Sequence, residues 1–223
     1  MIAIARLASK TRLDRQHTTL TYSVVGTALV ALVILPPAPP GAAAEHAVAI
    51  FAGGCFWCEE TAFEGLPGVF SVTSGYTGGQ KKDPTYEEVS SGTTGHAESV
   101  EVIYDPTRIS YAQLLDVFWH NIDPLTANAQ FCDHGSQYRS AIFYRSEEQR
   151  KAAVASKQKL EEQPSFKGRI VTQIVAASRF YPAEEYHQDF YKKNPIRYHA
   201  YRSGCGRDAR LKELWGASPR GHQ

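Results

Sequence analysis

The sequence predicts one layered domain that mixes strands and helices. Short apolar runs with a period of two alternate with segments of helical period along most of the chain. Hydrophobic residues make up 43% of the 223 positions, enough to build a core, and no internal repeat interrupts the pattern. Disordered, collagen-like and coiled-coil classes are excluded by this composition. With 24 Lys+Arg against 23 Asp+Glu the formal charge is +1, which offers no electrostatic footprint for nucleic acid.

Residues 1–44 differ from the rest. Arg6, Lys10, Arg12 and Arg15 face a single acid, Asp14, and an apolar run follows at 24–35. Pro36-Pro37-Ala38-Pro39-Pro40-Gly41 and Ala42-Ala43-Ala44 then close the segment. A charged start, a short apolar middle and a small-residue end predict a secretory signal peptide. The run is short for a membrane span, so an uncleaved membrane anchor is the secondary reading. The expected location is therefore exported and periplasmic. Removal of residues 1–44 leaves 20 basic groups against 22 acidic ones, again unsuited to a polyanion partner.

From Glu45 the elements follow in order. Residues 47–52 form an apolar strand, stopped by Gly53-Gly54, and 55–66 a helix ended by Pro67-Gly68. A strand over 69–76 leads to the turn Thr77-Gly78-Gly79. Residues 98–104 alternate, with Val100, Val102 and Tyr104 on one face. Ser110 and Gln113 make a capping box before Leu114, Leu115, Phe118 and Trp119. Ser146 and Gln149 repeat that signature ahead of a polar helix reaching about 162. Residues 170–176 form a strand, and Pro182 opens a helix that ends near Asn194-Pro195. Two irregular stretches remain, 123–137 and the coil from Ile196 onward; each contains a cysteine, and long loops in a compact domain are usually functional. The domain is read as 45–216, with 217–223 a flexible tail.

Gly53-Gly54-Cys55-Phe56-Trp57-Cys58 puts Cys55 at the start of a helix. Free N–H groups and the positive end of the macrodipole there favour a thiolate. Phe56 and Trp57 beside it suit a small apolar group. Cys132 and Cys205 lie too far away, with no second Cys-x-x-Cys, for a structural zinc site, so no metal is expected. A thioredoxin-like dithiol of Cys55 and Cys58 is one alternative, and structural disulfides in an exported protein are another. A domain of this length needs no staples, which favours the reactive thiol.

Glu98 shares a strand face with Val100 and Val102, so its carboxyl points to an apolar interior. Desolvation raises such a pKa, and the group then keeps its proton near neutrality; the alternative is a solvated carboxylate at the strand edge. In Asp133-His134-Gly135-Ser136-Gln137-Tyr138 the mix of Asp, His and Ser lacks a G-x-S-x-G elbow, so a hydrogen-bonding loop is the better reading than a hydrolase triad. His187 is assigned either to the site or to the surface.

Gly54-Cys55-Phe56-Trp57, the block from Tyr86 to Gly95-His96-Ala97-Glu98, and Asp133-His134-Gly135-Ser136-Gln137-Tyr138-Arg139-Ser140 together resemble peptide methionine sulfoxide reductase of the A type. The resemblance covers about 48–216. It implies an α+β fold, a two-layer sandwich related to the ferredoxin-like arrangement. It implies Cys55 as nucleophile, Phe56 and Trp57 as walls for the sulfoxide methyl group, and Glu98 as proton donor. Tyr86 and Tyr138 would bond the sulfoxide oxygen, with Asp133 in support. It further implies reduction of the S epimer of methionine sulfoxide, protein-bound or free, through a sulfenic acid and a disulfide. No bound cofactor is needed; an external thioredoxin-like dithiol restores the enzyme.

The chain departs from one pattern. Many relatives carry a resolving cysteine directly after the tyrosine of Asn-Pro-x-x-Tyr, but here Tyr198 is followed by His199. Cys205, between Gly204 and Gly206, is the expected resolving thiol, with Cys58 and Cys132 as alternatives. Other functional readings are a thiol–disulfide oxidoreductase using Cys55 and Cys58, and a non-enzymatic secreted module held by two disulfides. A monomer is expected, acting on oxidised proteins.

Overall fold

The computed structural model describes residues 46–163, 166 and 168–216. The signal peptide assigned to 1–44 and the tail assigned to 217–223 lie outside the described residues. No helix among the described residues is long and apolar enough to cross a membrane.

The chain begins with strand β1 (Ala47–Gly53), helix α1 (Phe56–Phe63), strand β2 (Val69–Thr77) and short helix α2 (Tyr86–Ser90). Strand β3 (Ala97–Tyr104) and helix α3 (Tyr111–His120) follow. Two-residue strands β4 (Ala129–Gln130) and β5 (Asp133–His134) lead to strand β6 (Ser140–Tyr144) and helix α4 (Glu147–Glu161). Then come strands β7 (Gln173–Ala176) and β8 (Tyr181–Pro182) and helices α5 (Phe190–Lys193), α6 (Pro195–Gly204) and α7 (Arg207–Trp215).

The main sheet runs β7-β6-β1-β3-β2-β8. Its neighbours are antiparallel except β6 and β7. One face carries Ala49, Phe51, Tyr76, Val100 and Val102 against Phe56, Phe63, Leu114, Leu115 and Phe118 of the helical layer. Each of the large aliphatic and Phe side chains among these stabilises the fold by about 1.5–3 kcal/mol through burial. Ile50, Ala52, Ala97, Ala141 and Phe143 form a smaller cluster on the opposite face. Strand alternation therefore puts Glu98 on the helix-covered face, as its spacing from Val100 and Val102 predicts.

Ser110 and Gln113 form the expected capping box at α3. At α4 only half of it forms: Ser146 accepts from the Gln149 amide, while the Gln149 carboxamide oxygen accepts from the Arg145 N–H instead. The sequence reading passed over β6, which sits inside the sheet. Ser140-Ala141-Ile142-Phe143-Tyr144 has no polar alternation because both its faces are covered.

Two expectations are corrected. The helix assigned from Pro182 is instead the edge strand β8, a 3-10 turn at Glu185–His187 and the short α5. The Gln188 side chain mimics a strand there, accepting from Ser74 N–H and donating to Ser74 C=O, both at 2.9 Å. The coil assigned from Ile196 onward is two helices. Pro195 occupies the first turn of α6, where its missing N–H has no bond to lose, so Asn-Pro starts a helix rather than only ending one. The 123–137 stretch is partly ordered by pairing of β4 with β5.

Candidate active site

Cys55 stands at the junction of β1 and α1. Gly54 takes φ +91, and a Cβ on it would come within 2.5 Å of Gln130 Cβ, so this turn requires glycine. Cys55 is then the N-cap residue, and its carbonyl accepts the N–H of Cys58 at 3.0 Å. The next N–H, that of Phe56, donates to Glu98 Oε2 at 3.1 Å. Strand β3 and the first turn of α1 thus hold thiol and carboxyl side by side.

Glu98 is 2% exposed. Burial pushes its carboxyl up to about 8; the Phe56 N–H opposes this, and the charges of Asp133 and Cys58 add to it. Cys55 and Cys58 are both free thiols and both buried. Burial and the neighbouring Cys58 push the Cys55 thiol up, whereas the hydrogen bond from Cys55, with Arg207 and Arg202 nearby, draws Cys58 down to about 6. Burial and Cys58 thus oppose at Cys55 what the helix terminus favours, and the two thiols titrate as a pair rather than singly.

Beneath the pair lies Arg207 from α7, wholly buried. It donates to Asn121 C=O at 2.8 Å and Gly53 C=O at 3.1 Å, and its guanidinium is 3.6 Å from Glu59. Burial pushes Glu59 up to about 7, with Arg207 opposing.

A cleft of about 60 Å³ opens over Cys55, lined by Phe56, Trp57, Tyr86, Glu98, Asp133, Tyr138 and Tyr201. Larger depressions of about 650 and 560 Å³ lie elsewhere and contain no cysteine, so chemistry rather than size locates the site. The Trp57 indole stacks on Phe190 at 3.6 Å, and its Nε1 donates to His187 Nδ1 at 3.1 Å. That bond leaves the His187 proton on Nε2, and burial lowers its pKa, so the ring is neutral. The Tyr86 N–H donates to Glu184, which also accepts from the Tyr76 hydroxyl. Burial pushes the Tyr86 phenol up to about 12 and that of Tyr138 higher, so both remain hydrogen-bond donors. The Tyr201 hydroxyl donates to Asp133, whose pKa burial raises.

The fold thus gathers Cys55, Phe56, Trp57, Tyr86, Glu98, Asp133 and Tyr138 in one cleft, all of them singled out from sequence. Tyr201 and Arg207 were missed because they belong to the two helices read as coil. His187 is 2% exposed and bonded to Trp57, so its surface assignment is corrected. Cys205 is not free: it is bridged to Cys132. With Cys55 and Cys58 both thiols, the reading of a module held by two disulfides is also corrected.

A buried thiol pair and a carboxyl kept neutral, inside a mixed α/β domain, define a cysteine-dependent oxidoreductase. The chain belongs to the peptide methionine sulfoxide reductase family, whose model matches residues 47–219. It is 52% identical over 174 residues to MsrA of Bacillus licheniformis, covering 78% of this chain and 96% of that one. To MsrA of Bacillus subtilis it is 54% identical over 170 residues, covering 76% and 96%. Reduced Mxr1 of Saccharomyces cerevisiae superposes with a TM-score of 0.64 at 36% identity, over 68% of this chain and 87% of the other. Methionine sulfoxide reductase A of Corynebacterium diphtheriae gives 0.61 at 34% identity, over 68% and 76%. The activity is reduction of methionine sulfoxide, which sets aside a general thiol–disulfide oxidoreductase.

Proposed function

We propose that Cys55 is the nucleophile and Glu98 the acid in this reduction, with the S epimer of methionine sulfoxide, protein-bound or free, as substrate. The observation that carries this reading is the contact between the first turn of α1 and the Glu98 carboxyl, which puts a neutral acid beside a thiol. A sulfoxide sulfur accepts a nucleophile only when its oxygen is polarised or protonated. Phe56 and Trp57 hold the methyl group, and the Tyr86 and Tyr138 hydroxyls bond the oxygen while Glu98 protonates it. Cys55 attacks and passes its own proton to Cys58, the nearby sulfur with the lower pKa. The sulfur–oxygen bond of the substrate breaks, methionine leaves, and the oxygen remains on Cys55 as a sulfenic acid. Cys205 then condenses with it, forming a disulfide and releasing water, with Cys58 and Cys132 as the other thiols able to do so. A thioredoxin-like dithiol reduces the disulfide, and no organic cofactor takes part.

The leader composition supports export to the periplasm by a cleaved signal peptide, and the reductant is then an extracytoplasmic thioredoxin-like protein. The protein acts as a monomer. The test is turnover of separate S and R epimers of a methionine sulfoxide peptide with dithiothreitol, by native protein and Cys55→Ser. Turnover of the S epimer that vanishes in the variant is expected; activity surviving the substitution overturns the assignment.

A further inference from the structure

The aromatic lining of the cleft continues past its mouth. Tyr86, which lines the cleft, contacts the His187 ring at 4.4 Å between centroids, and Phe56 contacts the same ring at 4.9 Å. Tyr186 extends the row, with its ring 4.3 Å from that of His187. Phe56 and His187 are buried, whereas Tyr186 is 54% exposed. The row therefore leads from the methyl pocket to an aromatic face open to solvent.

Carboxylates border the open end of the row. Glu184 accepts the Tyr86 N–H at 2.9 Å and the Tyr76 hydroxyl at 2.8 Å, and Glu87, which follows Tyr86 in α2, is exposed. Burial pushes the Tyr186 phenol up, and the charges of Glu184 and Glu87 add to it, so both carboxylates stand near this ring. The neighbouring acids are paired, Glu88 with Lys81 at 3.0 Å and Glu185 with Lys193 at 2.8 Å. Glu87 has no cation partner among the described residues. Arg197 also acts on His187, but its guanidinium lies 5.6 Å over Phe190, the ring on which Trp57 stacks, and so belongs to the other wall of the cleft.

We propose that Tyr186 and Glu87 form a subsite beside the catalytic cleft for a cationic side chain, lysine or arginine, that flanks methionine sulfoxide in a peptide substrate. The proposal rests on the reading above that the sulfoxide is reduced in the cleft over Cys55. The tyrosine face attracts a cation through its ring quadrupole, and Glu87 adds a full negative charge. The methylene stem of the substrate side chain packs on the ring while its charged end stays in water beside the carboxylate. The reach fits. Ring steps of 4.4 and 4.3 Å lead from Tyr86 to Tyr186, and consecutive peptide residues stand about 3.8 Å apart before the length of a side chain is added. Free methionine sulfoxide has no flanking residue and leaves the subsite empty, so Tyr186 and Glu87 select among peptides without entering the chemistry.

The test measures kcat/KM with dithiothreitol on end-capped peptides carrying lysine, glutamine, glutamate or phenylalanine on either side of methionine sulfoxide, and on free methionine sulfoxide. Wild type should prefer lysine to glutamine by about three- to tenfold on at least one side, the size of an exposed cation–π contact joined to an exposed ion pair. The preference should fall to near unity in Tyr186→Ala, shrink in Glu87→Gln and turn toward glutamate in Glu87→Lys. All three variants should turn over free methionine sulfoxide at the wild-type rate. Absence of the lysine preference in wild type, or its survival in Tyr186→Ala and Glu87→Lys, would overturn the proposal. So would an equal preference for phenylalanine, which would make Tyr186 an apolar contact. Turnover by Cys55→Ser would instead remove the underlying assignment.

Discussion

Glu98 Oε2 accepts the Phe56 N–H at 3.1 Å, which joins the central strand β3 to the first turn of α1. This contact occupies one carboxyl oxygen and leaves the other, with its proton, for the substrate. Glu98→Gln keeps the acceptor but not the acid. The chemical step should slow by about 100- to 10,000-fold, measured as single-turnover methionine release. A wild-type rate in this variant would remove Glu98 from the mechanism.

The same substitution should stabilise the fold. The folded pKa of Glu98 is raised from 4.5 to about 8 by burial. Its favourable contribution is thus complete below pH 4.5 and is lost as pH rises to about 8. Glu98→Gln removes that slope and should gain about 4 kcal/mol over wild type at pH 8 and above, an order-of-magnitude figure. Denaturant unfolding at pH 5 and pH 8.5 measures it; equal effects at both values would contradict the buried acid.

The dependence of kcat/KM on pH should be a bell. The rising limb lies near 6, where the Cys55–Cys58 pair loses its first proton, and the falling limb near 8, where Glu98 loses its own. Cys58→Ser removes the partner that draws the charge, so its rising limb should move to higher pH. An unmoved limb would mean that Cys55 ionises without help from Cys58.

Trp57 depends on His187. In His187→Phe the buried indole N–H has no acceptor, a loss worth about 1–3 kcal/mol. The effect should fall on kcat/KM by about tenfold or more, and His187→Gln, which can still accept, should recover part of it. Equal losses in the two variants would show that ring packing, not the hydrogen bond, holds Trp57.

Arg207→Met should destabilise the fold by about 3–5 kcal/mol, because Glu59 is left buried without its partner. Thermal unfolding reads this directly, and pairing it with Glu59→Gln should recover much of the loss. If the double variant is no more stable than the single one, the carbonyl contacts to Asn121 and Gly53 carry the energy instead.

Where an element's signal lay in its own residues, the sequence alone determined it. A short apolar run marked β1 and alternation marked β3, Ser-x-x-Gln marked the start of α3, and two glycines before Cys55 marked the turn that makes it an N-cap. Glu98 was legible because period-two spacing from Val100 and Val102 assigns it a face without any tertiary knowledge. The tertiary structure alone decided what depends on partners far along the chain. Strand β6 is covered on both sides and so lacks alternation, while His187 is defined by Trp57, 130 positions away. Tyr201 and Arg207 act through helices that weak local signals did not reveal. The pairing of four cysteines was beyond the sequence for the same reason: a disulfide follows proximity, and only packing brings Cys132 within bonding distance of Cys205.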